Sequence, residues 1–270
     1  VDYNDPNLKG IKKIKVGLSV IYNFEAKRKF EQLIKDEKPD IAHIGLIHRQ
    51  ISFSVVDVLK KYNIPVVMHL HELTAIFPCY TILRQDGTIC SECMQKKYWN
   101  CVKHCCIKKS RMKSFLAYAE AKFLQYGNYY NKIDTYIAEC DFYKELMEDA
   151  KVTASPIIRM NNFLPINQEY KAYYENDNYL LYFGRYAREK GVLTILKAYA
   201  QLNCTEKLIL VGKGSEETKI KEFIANYGLQ DKVEVNGAIF GKKMDRIIER
   251  AKVVLVPSEW YENGAFVALQ

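Results

Sequence analysis

No apolar run in this chain of 270 residues approaches the roughly 18 that a membrane-spanning helix needs, so these residues hold no such helix. No secretory leader opens the chain, and the expected compartment is therefore a reducing cytoplasm. No internal repeat of fixed short period is present, which leaves solenoid architectures without support. No recognised nucleic-acid-binding motif accompanies the basic balance, and nucleic acid is not an expected partner. An initiator methionine is missing too. The chain begins on an apparent loop and stops inside an apparent element, so it is expected to be a fragment lacking both ends. What is present is a globular composition, 49% hydrophobic, at a length that suits two domains of ordinary size.

The net charge of +8 is unevenly spread. Residues 1–160 hold 25 Lys+Arg against 18 Asp+Glu, whereas residues 161–270 hold 15 against 14. Between 93 and 119 stand Lys96, Lys97, Lys103, Lys108, Lys109, Arg111 and Lys113 with no acid among them. Together with Tyr98, Trp99, Met112, Phe115 and Leu116, the cluster suits an anionic membrane surface or a phosphorylated substrate; the plainer reading is a solvated basic helix. Six of the eight cysteines fall between Cys79 and Cys106. The spacing Cys90-x2-Cys93-x7-Cys101-x4-Cys106 is compact enough for four thiolates on one tetrahedral zinc, with Cys79, His104 and Cys105 as substitutes. Reduced, unligated cysteines are the alternative, since the second pair is not C-x2-C.

Elements alternate along the chain. Ile14–Val20 reads as a strand, Glu25–Glu37 as a helix, Asp40–Gly45 as a buried strand, Phe53–Tyr62 as a helix and Pro65–Leu70 as a strand. An irregular cysteine-rich insertion covers 73–109. A helix over Arg111–Tyr130 follows, with Phe115, Leu116, Ala119, Phe123 and Leu124 on one side. Then come Ile133–Ala138, a helix Asp141–Asp149, and Ile157–Arg159. The aperiodic, polar stretch 164–178 is the expected linker between a first domain, 1–163, and a second, 179–270. The pattern restarts with strands Tyr179–Phe183, Lys207–Val211, Lys232–Val235 and Val253–Val256. These alternate with helices Gly191–Leu202, Glu216–Tyr227 and Lys242–Arg250. The βαβ rhythm implies two parallel-sheet halves.

Three segments carry candidate chemistry. In Tyr-Phe-Gly-Arg-Tyr-Ala-Arg-Glu-Lys-Gly (182–191), a strand leads into a glycine turn with Arg185 after it and Lys190 before the next helix. Two cations over the carboxyl edge of a parallel sheet form an anion clamp; the plain alternative is a solvated loop. Val211-Gly212-Lys213-Gly214 ends the next strand, where glycines let a ligand approach the backbone, although a simple strand-to-helix turn has the same pattern. His69-Leu70-His71-Glu72 follows a buried strand, and a histidine there can hydrogen-bond a substrate hydroxyl or serve only as a loop residue. At the far end, Val-Pro-Ser-Glu-Trp-Tyr-Glu-Asn-Gly-Ala-Phe-Val-Ala-Leu-Gln (256–270) runs from a buried strand through a turn to Glu262, Asn263 and Gly264. The apolar run after it looks like a first helical turn, a place suited to a sugar diphosphate.

Taken together, these segments resemble the retaining glycosyltransferases of the GT-B fold, family 4 type. That resemblance implies two Rossmann-like parallel-sheet domains facing across a cleft, both incomplete here. It implies transfer of a sugar from a nucleotide-diphosphate donor to an acceptor hydroxyl with retention of configuration, without a metal for catalysis or a required cofactor. Arg185 and Lys190 fall on the family's diphosphate-binding arginine and lysine, and Gly212 and Gly214 on its G-x-G beside the nucleotide. Gly237 lies near the place of the base. Glu262 takes the first of two glutamates eight positions apart, with Asn263 and Gly264 beside it; the second position is Gln270, which keeps an acceptor oxygen but loses the charge. His71 takes the place of the histidine facing the donor sugar, with Glu72 where the family has aspartate, while His43, His48 and His69 read as structural. Cysteines also recur in the family's corresponding insertion. The implied acceptor is a glycan or lipid-linked molecule in cell-surface polysaccharide or glycolipid synthesis, handled at the inner face of the plasma membrane. Other classes compatible with the residues are a non-catalytic relative that binds a nucleotide sugar or a partner, and a GT-B phosphorylase or epimerase.

Overall fold

The first element of the chain departs from its sequence pattern. The structure, a computed structural model, describes residues 10–163 and 177–269. Gly10–Ile21 forms a helix, α1, in place of the strand expected over Ile14–Val20. The helix packs against the long helix Arg111–Tyr126 with Val20 buried, and this one-sided packing overrides the strand propensity of its β-branched residues. Helix α2, Phe24–Glu37, starts where the Asn23 side chain accepts a bond from the Ala26 N–H (3.0 Å) and ends at Lys38 in the left-handed conformation, just before Pro39.

Clustering of the fold gives two compact units, Val1–Asn161 and Asn162–Gln270. Most of the expected linker, residues 164–176, lies outside the described residues, as does Gln270. The first unit contains β1 (Ala42–Ile44), α3 (Ser54–Lys61), β2 (Val66–Leu70), α4 (Trp99–Lys103), α5 (Arg111–Tyr126), β3 (Thr135–Ala138), α6 (Asp141–Asp149) and β4 (Ile157–Arg159). Its four strands are parallel in the order β1-β2-β3-β4, and the register sets His69 beside Ile137 and Leu70 beside Ala138. Phe53, Leu59, Val66, Met68, Leu70, Leu124, Tyr136 and Met147 build the core around the central strands.

The cysteine-rich insertion is more ordered than a loose loop. Phe77, Cys79, Ile82, Cys93, Tyr98 and Cys101 join the main core, and α4 packs against α5. Helix α5 ends at Tyr126, short of the expected Tyr130, because Gly127 closes it and a separate 3-10 turn spans Tyr129–Lys132. Its buried face overlaps the expected one only in part: Leu124 is buried as expected, but the small residues Ser114, Ala117 and Ala121 face inward with Glu120, whereas Phe115 and Met112 are exposed. No helix among the described residues is long and apolar enough to cross a membrane.

The second unit contains β5 (Tyr179–Phe183), α7 (Val192–Gln201), β6 (Lys207–Val211), α8 (Glu217–Asn226), β7 (Val233–Asn236), α9 (Lys242–Glu249) and β8 (Val253–Val254). The strands are parallel in the order β7-β6-β5-β8. Alternation along the strands splits the core between two faces. Tyr182, Leu208 and Leu210 pack with α7 and α8, while Tyr179, Leu181 and Phe183 pack with Met244 of α9. Strand β8 is shorter than the expected Val253–Val256 and is not buried: it lies at the edge of the described sheet, with Val253 and Val256 exposed. After Gly264 the chain makes one 3-10 turn, Phe266–Ala268, within the described residues.

The helical assignment of α1 is testable at Gly17, where an added methyl group would meet no atom within 4 Å. Gly17→Ala should raise stability by about 0.5–1 kcal/mol, and Gly17→Val should gain less. Chemical denaturation in which valine stabilises more than alanine would point to a strand.

Candidate functional site

In the second unit, three loops at the carboxyl ends of parallel strands are tied together through their backbones. The loop after β5 is fixed to the loop after β6 by bonds from Gly184 N to Val211 O (3.0 Å), Tyr186 N to Lys213 O (2.9 Å) and Glu216 N to Tyr186 O (2.9 Å). The fully buried Tyr186 donates its hydroxyl to Asn236 O (3.0 Å). A Cβ on Gly214 would lie 2.3 Å from Tyr186 O, and one on Gly212 would lie 1.9 Å from Gly184 O. Both glycines are thus required for the protein's own loop packing, a role the G-x-G spacing alone did not indicate.

The loop after β8 joins the same edge. Glu259 N bonds Glu189 O (2.9 Å), and Gly191, which opens α7 at φ 67°, leaves no room for a side chain beside Pro257 O. This contact brings together two expected site residues that are 72 positions apart. Lys190 Nζ lies 2.5 Å from Glu262 Oε1, and Ser258 Oγ donates to the same oxygen at 2.5 Å. The Trp260 ring sits 5.3 Å from the ammonium. Burial by itself would lift the Glu262 carboxyl, but the bonds from Lys190 and Ser258 and the Lys190 charge hold it below the ordinary carboxylate value. The stabilisation from this pairing is therefore present above the unfolded value near 4.5 and is lost as pH falls through the lower folded one.

Arg185 is exposed, with its guanidinium 3.3 Å from Glu189 Oε1. Gly264 adopts φ 72°, and its carbonyl accepts from Asn162 Nδ2 at 3.1 Å, next to Asn263. Gly237 follows β7, where an added Cβ would lie 3.3 Å from the Lys213 side chain. The group can hold an anion: two cations, one exposed and one half-buried, stand over a strand edge beside a carboxylate and a hydroxyl.

In the first unit, His71 does not stand alone. Its Nδ1 is 2.8 Å from Glu139 Oε1, and His69 Nε2 is 3.0 Å from the same oxygen. Glu139 follows β3 directly and is buried; sequence reasoning missed it because no motif marks it. His69, read as structural from the sequence, belongs to this cluster. Its ring stacks on that of His71 at 4.3 Å and on that of His43 at 5.6 Å. Burial and the neighbouring imidazole push its pKa down against the pull of Glu139, so it is neutral near pH 7. His48 is buried against Phe53, and burial holds it down to about 3, which fits a structural role. Glu72 accepts a bond from the Thr74 hydroxyl. Nearby, the buried Glu120 contacts Arg49 at 3.4 Å, and burial pushes its carboxyl up to about 7 despite that cation.

Among the described residues, His69, His71 and Glu139 are the group of three or more metal-capable side chains whose donor atoms gather within 4.8 Å. Cys90, Cys93, Cys101 and Cys106 are not gathered in this way. Cys101 points into the core from α4, and all eight cysteines are free thiols. Burial pushes the Cys93 thiol up to about 12, and a hydrogen bond with Cys101 together with burial takes Cys106 to about 12 as well.

The two parallel-sheet units are those of the GT-B fold, the architecture of nucleotide-sugar glycosyltransferases. HepE from Anabaena, solved with UDP and glucose, matches at a TM-score of 0.58 and 18% identity, over 89% of this chain and 58% of that one. Residues 166–270, which include Arg185, Lys190, Glu262 and Gly264, match the family model described as Glycosyl transferases group 1. Over 250 residues the chain is 26% identical to an uncharacterized 42.6 kDa protein in the cps region of Klebsiella pneumoniae, covering 93% of this chain and 59% of that protein. Over 91 residues it is 29% identical to the alpha-D-kanosaminyltransferase of Streptomyces kanamyceticus, 33% of this chain and 24% of that enzyme. The chain thus spans less than two thirds of these relatives' lengths.

Loop packing in the second unit is testable through Gly214. Gly214→Ala should cost about 1–3 kcal/mol, because its Cβ meets rigid backbone rather than a movable side chain. An unchanged melting transition would show that the two loops are not packed this way.

Proposed function

We propose that this chain acts as a retaining, family 4 type glycosyltransferase that moves a sugar from a nucleotide diphosphate to an acceptor hydroxyl. The observation that carries the reading is the Lys190–Glu262 pair beside Arg185, on strand-end loops inside the segment that matches the group 1 family. In the reaction, the bond from the sugar C1 to the diphosphate breaks and a bond from C1 to the acceptor oxygen forms. The leaving diphosphate carries the charge that Lys190 and Arg185 neutralise. As it takes Lys190, Glu262 is released to accept hydrogen bonds from donor-sugar hydroxyls. Gly212, Gly214, Asn263 and Gly264 border the donor through backbone atoms, Gln270 stands in sequence where the family has its ribose-binding glutamate, and His71 offers its ring to a substrate hydroxyl at the edge of the first sheet. No metal or cofactor has a part in this scheme. Uridine diphosphate sugars are the first donors to test, given the UDP complex of HepE. The acceptor is a glycan or lipid-linked hydroxyl, a reading that the relative from a cps region supports.

Gln270 favours one second reading, a relative that binds the donor without turning it over. Titration with UDP run beside a transfer assay separates the two. Lys190→Ala should weaken UDP binding about 10- to 100-fold through loss of a charge-assisted contact, and the more exposed Arg185→Ala should weaken it less. Glu262→Gln should keep UDP bound while transfer falls at least about a hundredfold. UDP binding by the wild-type chain without transfer from any donor would favour the binding relative. Wild-type behaviour of all three variants would sink the site.

The acceptor side fits an anionic membrane. Trp99, Phe115 and Tyr118 form an aromatic cluster, with ring centroids 5.2 Å (Trp99–Tyr118) and 5.9 Å (Phe115–Tyr118) apart. Trp99, Met112 and Phe115 are exposed among the lysines of α4 and α5, whereas Tyr98, counted on this surface from the sequence, is buried. Basic residues near an anionic leaflet contribute about 1 kcal/mol each, and the exposed rings suit the headgroup boundary. The chain should co-sediment with phosphatidylserine vesicles and be released by salt. Replacing Lys108, Lys109, Arg111 and Lys113 by Gln should abolish that binding. Equal retention by neutral vesicles would refute the electrostatic account, and binding to neither would leave a solvated face.

A further inference from the structure

The cluster at the edge of the first sheet follows from strand register. His69 of β2 lies beside Ile137 of β3 and Leu70 beside Ala138, so the next step along both strands brings His71 to Glu139. Residues 69 and 71 point to the same side of a strand, which sets both imidazoles over one carboxylate. That carboxylate is anchored, its side chain 4% exposed, while His71 is 40% exposed. On the neighbouring strand end, Gly45 borders the opposite edge of the His71 ring. A Cβ there would lie 3.0 Å from Cδ2 and 3.1 Å from Nε2. His71 is thus gripped at Nδ1 and left open at Nε2.

The arrangement favours a carboxylate set against His71 over a metal centre. A ligating imidazole holds its ion in the ring plane, and the His69 and His71 planes are only 19° apart with centroids at 4.3 Å. Two planes so nearly parallel do not meet close to the nitrogens, so one ion does not lie in both. The same planes keep one oxygen from lying in line with an N–H of both rings, and His69 Nε2 makes no aligned hydrogen bond, so the imidazole that the carboxylate can orient is His71, whose Nδ1 stands 2.8 Å away.

We propose that Glu139 is a positioning residue for His71, fixing it as the Nδ1–H tautomer so that Nε2 presents a lone pair to a substrate hydroxyl. His69, stacked on the ring at 4.3 Å, keeps the His71 plane from turning. The part of this inference that concerns a sugar hydroxyl rests on the transfer reading above; the tautomer does not.

The test uses the full chain labelled with 15N-histidine. Five histidines give a readable long-range proton–nitrogen spectrum, and loss of one set in His71→Gln assigns it. At pH 8, wild-type His71 should show the Nδ1–H pattern. Glu139→Leu, which removes the acceptor, should shift it to the Nε2–H form commoner in free imidazole. Glu139→Gln, which keeps an acceptor oxygen, should hold the wild-type tautomer. In transfer assays Glu139→Leu should lose about 10- to 100-fold in kcat with the donor KM changed less than about threefold, and Glu139→Gln should recover most of it. A wild-type His71 in the Nε2–H form overturns the proposal without any variant. So does an Nδ1–H pattern that survives Glu139→Leu. If the tautomer responds as stated but the wild-type chain turns over no donor, the positioning stands and the transferase reading falls.

Discussion

All strands of a parallel sheet point the same way, so every loop leaving a strand's carboxyl end emerges on one edge. That constraint organises both units. In the second, it collects the loops after β5, β6 and β8, and with them Arg185, Lys190, Gly212, Gly214 and Glu262. In the first, it collects Gly45, His71 and Glu139 from three successive strand ends. Residues scattered through the sequence become neighbours because the strands between them are buried in a fixed register.

The charges on the second edge are held in an arrangement that suits exchange. Lys190 and Glu262 are each half-buried and in contact at 2.5 Å, with Ser258 alongside. Removing one partner from such a pair leaves the other uncompensated, which is costly where water is partly excluded. An anionic diphosphate can replace Glu262 as the partner of Lys190, and a hydroxyl-rich sugar can replace Lys190 as the partner of Glu262. On the proposed reading the pair is matched to both ends of one donor. Its rigidity comes from Gly191 and Gly214, whose missing side chains let the three loops pack backbone to backbone.

Much of this architecture was legible in the sequence. Tyr179–Phe183 and Lys207–Val211, near-continuous apolar runs, match their expected bounds, as do the more exposed strand Ile157–Arg159 and helix Asp141–Asp149. Misreadings arose where local signals competed. Around Ile14 the β-branched residues pointed to a strand, whereas packing on the long helix Arg111–Tyr126 with Val20 buried makes Gly10–Ile21 a helix. On α5 the large apolar side chains suggested the inward face; Leu124 is buried there, but small residues pack closer and leave Phe115 outward. Glu139 was invisible as a motif, yet counting one step past paired strands leads to it from His71. Sequence distance says nothing of direction: the four cysteines of the zinc reading stand close in sequence, but their donor atoms are not gathered as those of His69, His71 and Glu139 are.

The account stands most directly on the Lys190–Glu262 pair as the place a nucleoside diphosphate enters. A crystal structure of the chain with UDP tests it. The expected result is a diphosphate contacted by Lys190 and Arg185, with Lys190 drawn away from Glu262 and the carboxylate turned toward the position of the sugar. UDP bound elsewhere, with the 2.5 Å pair intact, would contradict the account.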